Sequence, residues 1–148
     1  MKYSEKTSRS LIAGFHMEDK LFESLWNDGF LRATQYEDKF LGIDGRLNGL
    51  PVDLTCYIAG KDHMEKLPSS IWLDKSYGFC VNFGIRVGNS HNGFTPFEEP
   101  VLVIGLSCPR MDLLDEAIRL FKKNFGRIGT MGEDLYWRWM DVHPEYEL

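Results

Sequence analysis

Residues 42–55 read GIDGRLNGLPVDLT, and the pair Asn48-Gly49 near their centre predicts a tight β-hairpin. Both residues tolerate the positive φ that a two-residue type I′ turn requires at its central positions. Counting outward from this turn in antiparallel register places Asp44 directly opposite Asp53. The two form a non-hydrogen-bonded pair in that register, so their side chains are expected to lie close together.

The facing carboxylates predict a cation site. Directly opposed negative charges repel each other, and a cation between them would remove this penalty. The two-residue period of a strand puts Asp44, Asp53 and Thr55 on one face of the hairpin. Their oxygens suit Mg²⁺ or Mn²⁺, so Asp44 and Asp53 are the predicted metal ligands. The alternative is a polar hairpin face without a ligand; Pro51 allows a bulge, and a bulge at Gly45 would shift Asp44 out of register.

The residues on either side of the hairpin predict an α/β (α+β) fold, with a single mixed sheet and helices packed on both faces. The apolar run at 101–106 is typical of a strand that is covered on both sides, which places it inside the sheet. The other predicted elements are an amphipathic helix over about residues 10–28, a short strand at 30–35, a long strand at 77–87, a helix from Asp112 to Gly126 and a short helix at 133–140.

Length and composition predict one globular domain spanning residues 1–148. The chain has no apolar segment of membrane-spanning length and no signal-peptide pattern at its start, so we expect a cytoplasmic protein without a membrane partner. Three cysteines without CxxC spacing, Cys56, Cys80 and Cys108, are predicted to be free buried thiols.

The net charge of −5 gives the whole molecule no attraction for nucleic acid. Any surface that binds phosphate must therefore be local, and Lys122, Lys123 and Arg127 near the end of the predicted helix are the candidates. The alternative for these three residues is a solvated helix face whose positive charges complement the helix dipole. A mildly acidic chain also fits a small inhibitor or immunity protein that binds a basic protein partner.

The arrangement of acidic residues resembles the core of the PD-(D/E)XK nuclease superfamily. Three features carry the resemblance: Glu18 on the predicted helix, Asp44 on the first hairpin strand, and the triplet Asp53-Leu54-Thr55 on the second strand. The resemblance implies a restriction-endonuclease-like core in which Glu18, Asp44 and Asp53 hold one or two divalent metal ions. Glu23 is the substitute for Glu18 in this role.

The same resemblance implies metal-assisted hydrolysis of phosphodiester bonds in nucleic acid, with Mg²⁺ or Mn²⁺ as cofactor. Thr55 stands where the family usually has the lysine that positions the attacking water, and it completes the predicted catalytic set of Glu18, Asp44, Asp53 and Thr55. Three hypotheses follow: an active nuclease-like enzyme, a nuclease-like fold without catalysis, and an unrelated small α/β interaction protein.

Overall fold

A computed structural model describes residues 29–32, 43–58, 69–87 and 99–146. The strands are β1 Phe30–Arg32, β2 Gly45–Leu47, β3 Leu50–Ile58, β4 Ser69–Asp74, β5 Phe79–Arg86 and β6 Val101–Cys108. The helices are α1 Leu114–Lys123 and α2 Phe125–Asp141, with short 3₁₀ helices at Met111–Leu113 and Pro144–Tyr146. In the described ranges, no helix is both long enough and apolar enough to cross a membrane.

The six strands form one mixed sheet in the order β1-β2-β3-β6-β5-β4. Strands β3 and β6 run parallel, and the other paired strands run antiparallel. The sheet thus consists of two antiparallel three-stranded units joined along β3 and β6. The α/β class and the interior position of the apolar run at 101–106 are confirmed.

The hairpin forms as predicted at its turn. Asn48 has a φ of 49° and Gly49 a φ of 89°, the two positive values that a type I′ turn requires. Leu47 pairs with Leu50, and the ladder of β2 and β3 ends at the pair of Gly45 and Val52. The register therefore agrees with the sequence up to that pair.

One face of the sheet packs against both described helices. Alternate residues of β3, β5 and β6 are buried there with the apolar sides of α1 and α2. At Gly132 the helix comes close to the sheet, since a Cβ added there would lie 2.9 Å from Leu102 Cδ2. The core residues on this face include Val52, Leu54, Phe83, Leu102, Ile104, Phe121 and Ile128. The predicted helix over 10–28, which would cover the other face, lies outside the described residues.

The helix boundaries differ from the sequence-based prediction. Asp112 does not cap α1: it lies in the preceding 3₁₀ helix, and its carboxylate pairs with Arg110 at 3.2 Å. The first helix ends at Lys123 with Asn124 as its C-cap, and not at Gly126. The Asn124 side chain donates to the carbonyl of Leu120 at 2.8 Å, which satisfies a backbone group exposed at a helix end. Gly126 is helical within α2, which also contains the predicted helix at 133–140.

Candidate functional site

The second face of the sheet carries polar side chains on β3 and β5, the two neighbours of β6. Asp53 and Thr55 alternate along β3 with core residues, so they project from the face opposite α1 and α2. The strand register puts Thr55 beside Gly105 of β6, and Gly105 beside Asn82 of β5. Arg86 of β5 projects from this same face. We call Asp53, Thr55, Asn82 and Arg86 the polar face.

Asp44 lies at the edge of this region, where β2 stops pairing with β3. In a regular ladder the Asp44 N–H would point away from β3, but it donates to the carbonyl of Val52 at 2.9 Å. This is an irregularity of the kind that a bulge produces. The predicted pairing of Asp44 with Asp53 is therefore not part of the ladder, which ends one pair earlier.

The Asp44 carboxylate has a specific partner on β3. Its Oδ2 accepts a hydrogen bond from the Leu54 N–H at 2.7 Å. Since β2 has ended at this level, that N–H would lack a strand partner, and the carboxylate takes the place of a backbone carbonyl. The bond holds Asp44 against the backbone between Asp53 and Thr55, so the structure brings the three predicted site residues to one short segment.

Asp53 forms an ion pair with Arg86, a contact that the sequence-based reasoning missed. The Arg86 guanidinium lies 3.6 Å from the Asp53 carboxylate, and both side chains are nearly four-fifths buried, with 23% and 22% of their surface exposed. The two residues are joined across β6, because Asp53 neighbours Val103 and Val103 neighbours Gly84. The guanidinium partly neutralises the carboxylate and places a fixed positive charge on the polar face.

Thr55 and Asn82 are the remaining polar groups of this face. The Thr55 hydroxyl oxygen is buried and has no hydrogen-bond partner among the residues that the structure describes. Asn82 is 7% exposed, and its amide lies 3.6 Å from the Cys80 sulfur. The signal in the sequence was an asparagine between Val81 and Phe83 in a run that alternates like a strand, which indicates a polar position on this face of β5.

The other predicted site residues are not brought to the polar face. Glu18 and its substitute Glu23 lie outside the described residues. Lys122 and Lys123 end α1, and Arg127 lies in the first turn of α2. These helices cover the core face, so the sheet separates the three basic side chains from Asp53 and Thr55.

The donor set near Asp44 is compatible with a hard divalent cation. Mg²⁺ binds proteins through one or two carboxylates and keeps several waters, and Asp44 and Asp53 supply two carboxylates beside one strand segment. Over the described part of the chain, however, no group of three or more His, Cys, Asp or Glu side chains converges as a metal site. A third ligand of these types would have to come from another part of the chain.

Comparisons with protein families, with curated proteins and with solved structures found no match to this chain. The geometry of the polar face and its surroundings is therefore the basis for a functional assignment.

Cysteine nucleophiles do not fit the structure. All three cysteines are free; Cys56 and Cys108 are buried, as predicted, whereas Cys80 is half-buried. Burial, and secondarily the neighbouring Cys108, raises the pKa of the Cys56 thiol to about 12. Burial also raises the pKa values of the other two thiols. A thiol with a raised pKa is protonated at neutral pH and is a poor nucleophile.

Proposed function

We propose that the protein is a nuclease-like, divalent-metal-dependent phosphodiesterase that acts on nucleic acid. The observation that carries the proposal is the hydrogen bond from the Leu54 N–H to the Asp44 carboxylate. It places Asp44 beside the Asp53-Leu54-Thr55 segment, although the strand ladder has already ended there. The resemblance of these residues to the PD-(D/E)XK pattern supports the same conclusion.

The proposed site assigns each described residue a separate task. Asp44 and Asp53 would bind Mg²⁺ or Mn²⁺, which when bound polarises the phosphoryl oxygen and lowers the pKa of a coordinated water. Arg86, which already lies beside Asp53, would bind a phosphate oxygen of the nucleic-acid backbone. Lys122, Lys123 and Arg127 remain proposed contacts to more distant phosphates.

Thr55 sets the main chemical limit on catalysis. Its hydroxyl can accept and donate hydrogen bonds to a water molecule, but it lacks the positive charge of a lysine. The ion pair of Asp53 with Arg86 also competes with a cation for the Asp53 carboxylate. This pair favours a second candidate, a nuclease-like fold that binds without cleaving.

A combined binding and cleavage experiment tests the proposal. Thermal unfolding is measured with and without millimolar Mg²⁺ or Mn²⁺, for the parent, for Asp53→Asn and for Asp112→Asn. At a hundred times its dissociation constant, a cation that binds only the folded protein adds about 2.7 kcal/mol, or a melting shift of several degrees. Asp112 is an exposed acid far from the polar face and serves as the control for net charge.

We expect metal to stabilise the parent and Asp112→Asn but not Asp53→Asn. Labelled single- and double-stranded DNA and RNA then report cleavage by the parent in the presence of metal. Metal binding without cleavage would favour the non-catalytic candidate. Equal stabilisation of Asp53→Asn and the parent, or no stabilisation of either, would refute the metal site and direct the search to a protein partner.

A further inference from the structure

An open cleft lies away from the polar face, between the last turns of α2 and the residues that precede β6. Its volume is about 400 Å³, which is within the range of small-molecule sites. Pro100 and Met140 contribute buried apolar surface to it. The cleft is independent of the proposed metal site, since no residue of the polar face lines it.

Three aromatic side chains line the cleft. Trp137 is 55% exposed although it is a large apolar residue, and its ring meets the Tyr136 ring edge-to-face at 5.3 Å. Tyr146, from the 3₁₀ helix after α2, packs against Trp139 at 5.2 Å, which holds it in place. Tyr136 is thus buried and Tyr146 is packed against a neighbouring ring, whereas Trp137 exposes more than half of its surface at the cleft.

Two carboxylates, Glu99 and Asp141, lie at the same cleft. Both residues are exposed, and across the described ranges neither forms an ion pair. Burial is the main cause that raises the pKa of Tyr136; the charge of Glu99 raises it further and Arg46 partly opposes this effect. Tyr136 is therefore a neutral phenol at physiological pH, and its ring lies within the field of the Glu99 carboxylate.

We propose that this cleft binds an organic cation through an ammonium or guanidinium group. The negative faces of aromatic rings attract such cations, and tryptophan does so most strongly. Glu99 and Asp141 add two negative charges, which repel phosphates and carboxylates and complement a cation. The net charge of −5 acts in the same direction at long range.

The test uses choline as a free quaternary ammonium, and 3,3-dimethylbutan-1-ol, in which carbon replaces the charged nitrogen. A third probe, N-acetylarginine amide, presents the guanidinium as a peptide would. Each is titrated into the full chain while the indole N–H signals are followed by NMR. The Trp137 signal is identified by its loss in Trp137→Phe.

We expect choline to shift the Trp137 signal saturably and the neutral alcohol to leave it unchanged. Glu99→Gln and Asp141→Asn should each weaken choline binding roughly 2- to 5-fold, the range of exposed charge pairs. Asp112→Asn removes the same unit charge beyond the opposite end of β6 and should leave binding unchanged.

The relative affinities of the two cations identify the source of the ligand. Tighter binding of choline indicates a small quaternary ammonium, and tighter binding of N-acetylarginine amide indicates a side chain of a basic peptide. Equal affinity for choline and the neutral alcohol would overturn the proposal, as would no binding of either cation. Equal weakening of choline binding by Asp112→Asn and Asp141→Asn would show that only the net charge of the protein matters, and it would overturn the proposal as well.

Discussion

Replacing Asp44 tests whether its carboxylate stabilises the hairpin or destabilises it. The sequence alone, which sets Asp44 against Asp53, implies that removing either charge relieves repulsion and stabilises the protein. The structure implies the opposite, because the Asp44 carboxylate accepts a 2.7 Å hydrogen bond from the Leu54 N–H where β2 has ended. The two views predict changes of opposite sign in the free energy of unfolding.

The size of the effect follows from the bond. Hydrogen bonds to charged groups contribute roughly 1.5–3 kcal/mol, and a part-buried N–H without a partner costs a similar amount. We expect Asp44→Ala to lower the free energy of unfolding by about 2 kcal/mol. Asp44→Asn keeps a side-chain carbonyl that can accept the bond, so its expected loss is about 1 kcal/mol.

The assay is urea unfolding followed by tryptophan fluorescence, with a chelator present so that divalent cations do not contribute. The slope of free energy against urea should not change, because the surface exposed on unfolding is the same. Asp112→Ala, which loses only an exposed ion pair, should remain within about 1 kcal/mol of the parent. An Asp44→Ala variant as stable as the parent, or more stable, would refute the assigned role of the hydrogen bond.

Three further predictions concern stability. Gly126→Ala should add about 0.5–1 kcal/mol of helix stability in urea unfolding, because its new methyl group meets nothing within 4 Å. Gly132→Ala should lower the free energy of unfolding by about 1–2 kcal/mol, because its Cβ would lie 2.9 Å from Leu102. Equal effects of the two substitutions would contradict the packing of α2. Gly45→Ala should cost about 3 kcal/mol in the same assay, since its Cβ would lie 2.6 Å from a β1 backbone oxygen, and a neutral result would contradict the close approach of β1. The pKa of the Cys56 thiol rises from 9.0 to about 12 on folding, so the unfolded chain loses this proton at a lower pH than the folded protein. The free energy of unfolding should therefore fall above pH 9, by at most about 1.4 kcal/mol per pH unit. Cys56→Ala should show a shallower fall in urea titrations at pH 8–10.5.

Local sequence predicted the features that local physics determines. The turn at Asn48 and Gly49 needs only the positive φ of two residues, and the structure has both values. The apolar run of β6 predicted an interior strand, and in the structure β6 has a paired strand on each side. The predicted end of α1 at Gly126 was wrong because Asn124 caps the helix two residues earlier, with its side chain bonded to the Leu120 carbonyl.

The candidate site was only partly predictable, since its geometry depends on distant strands. Asp53 and Thr55 could be placed on one face from the strand period alone. Arg86 reaches Asp53 because their strands, β5 and β3, are the two neighbours of β6 in the sheet. No local sequence pattern specifies this strand order. The hydrogen bond of Asp44 with the Leu54 N–H was also missed. At the end of a strand, a carboxylate and a backbone carbonyl can both accept from the same N–H group, and the path of the chain determines which of them does.

The parallel pairing of β3 with β6 has a consequence for how the protein folds. Each antiparallel pair joins strands that are consecutive in the chain, whereas β3 meets β6 only after the whole β4 and β5 segment has been made. Closing this junction pays the largest loop entropy in the sheet, so we expect it to limit the folding rate. The polar face spans the same junction, with Asp53 on one side and Arg86 on the other. The ion pair of Asp53 with Arg86 therefore requires both halves of the sheet, whereas Asp44, Asp53 and Thr55 can already meet in the β2–β3 hairpin.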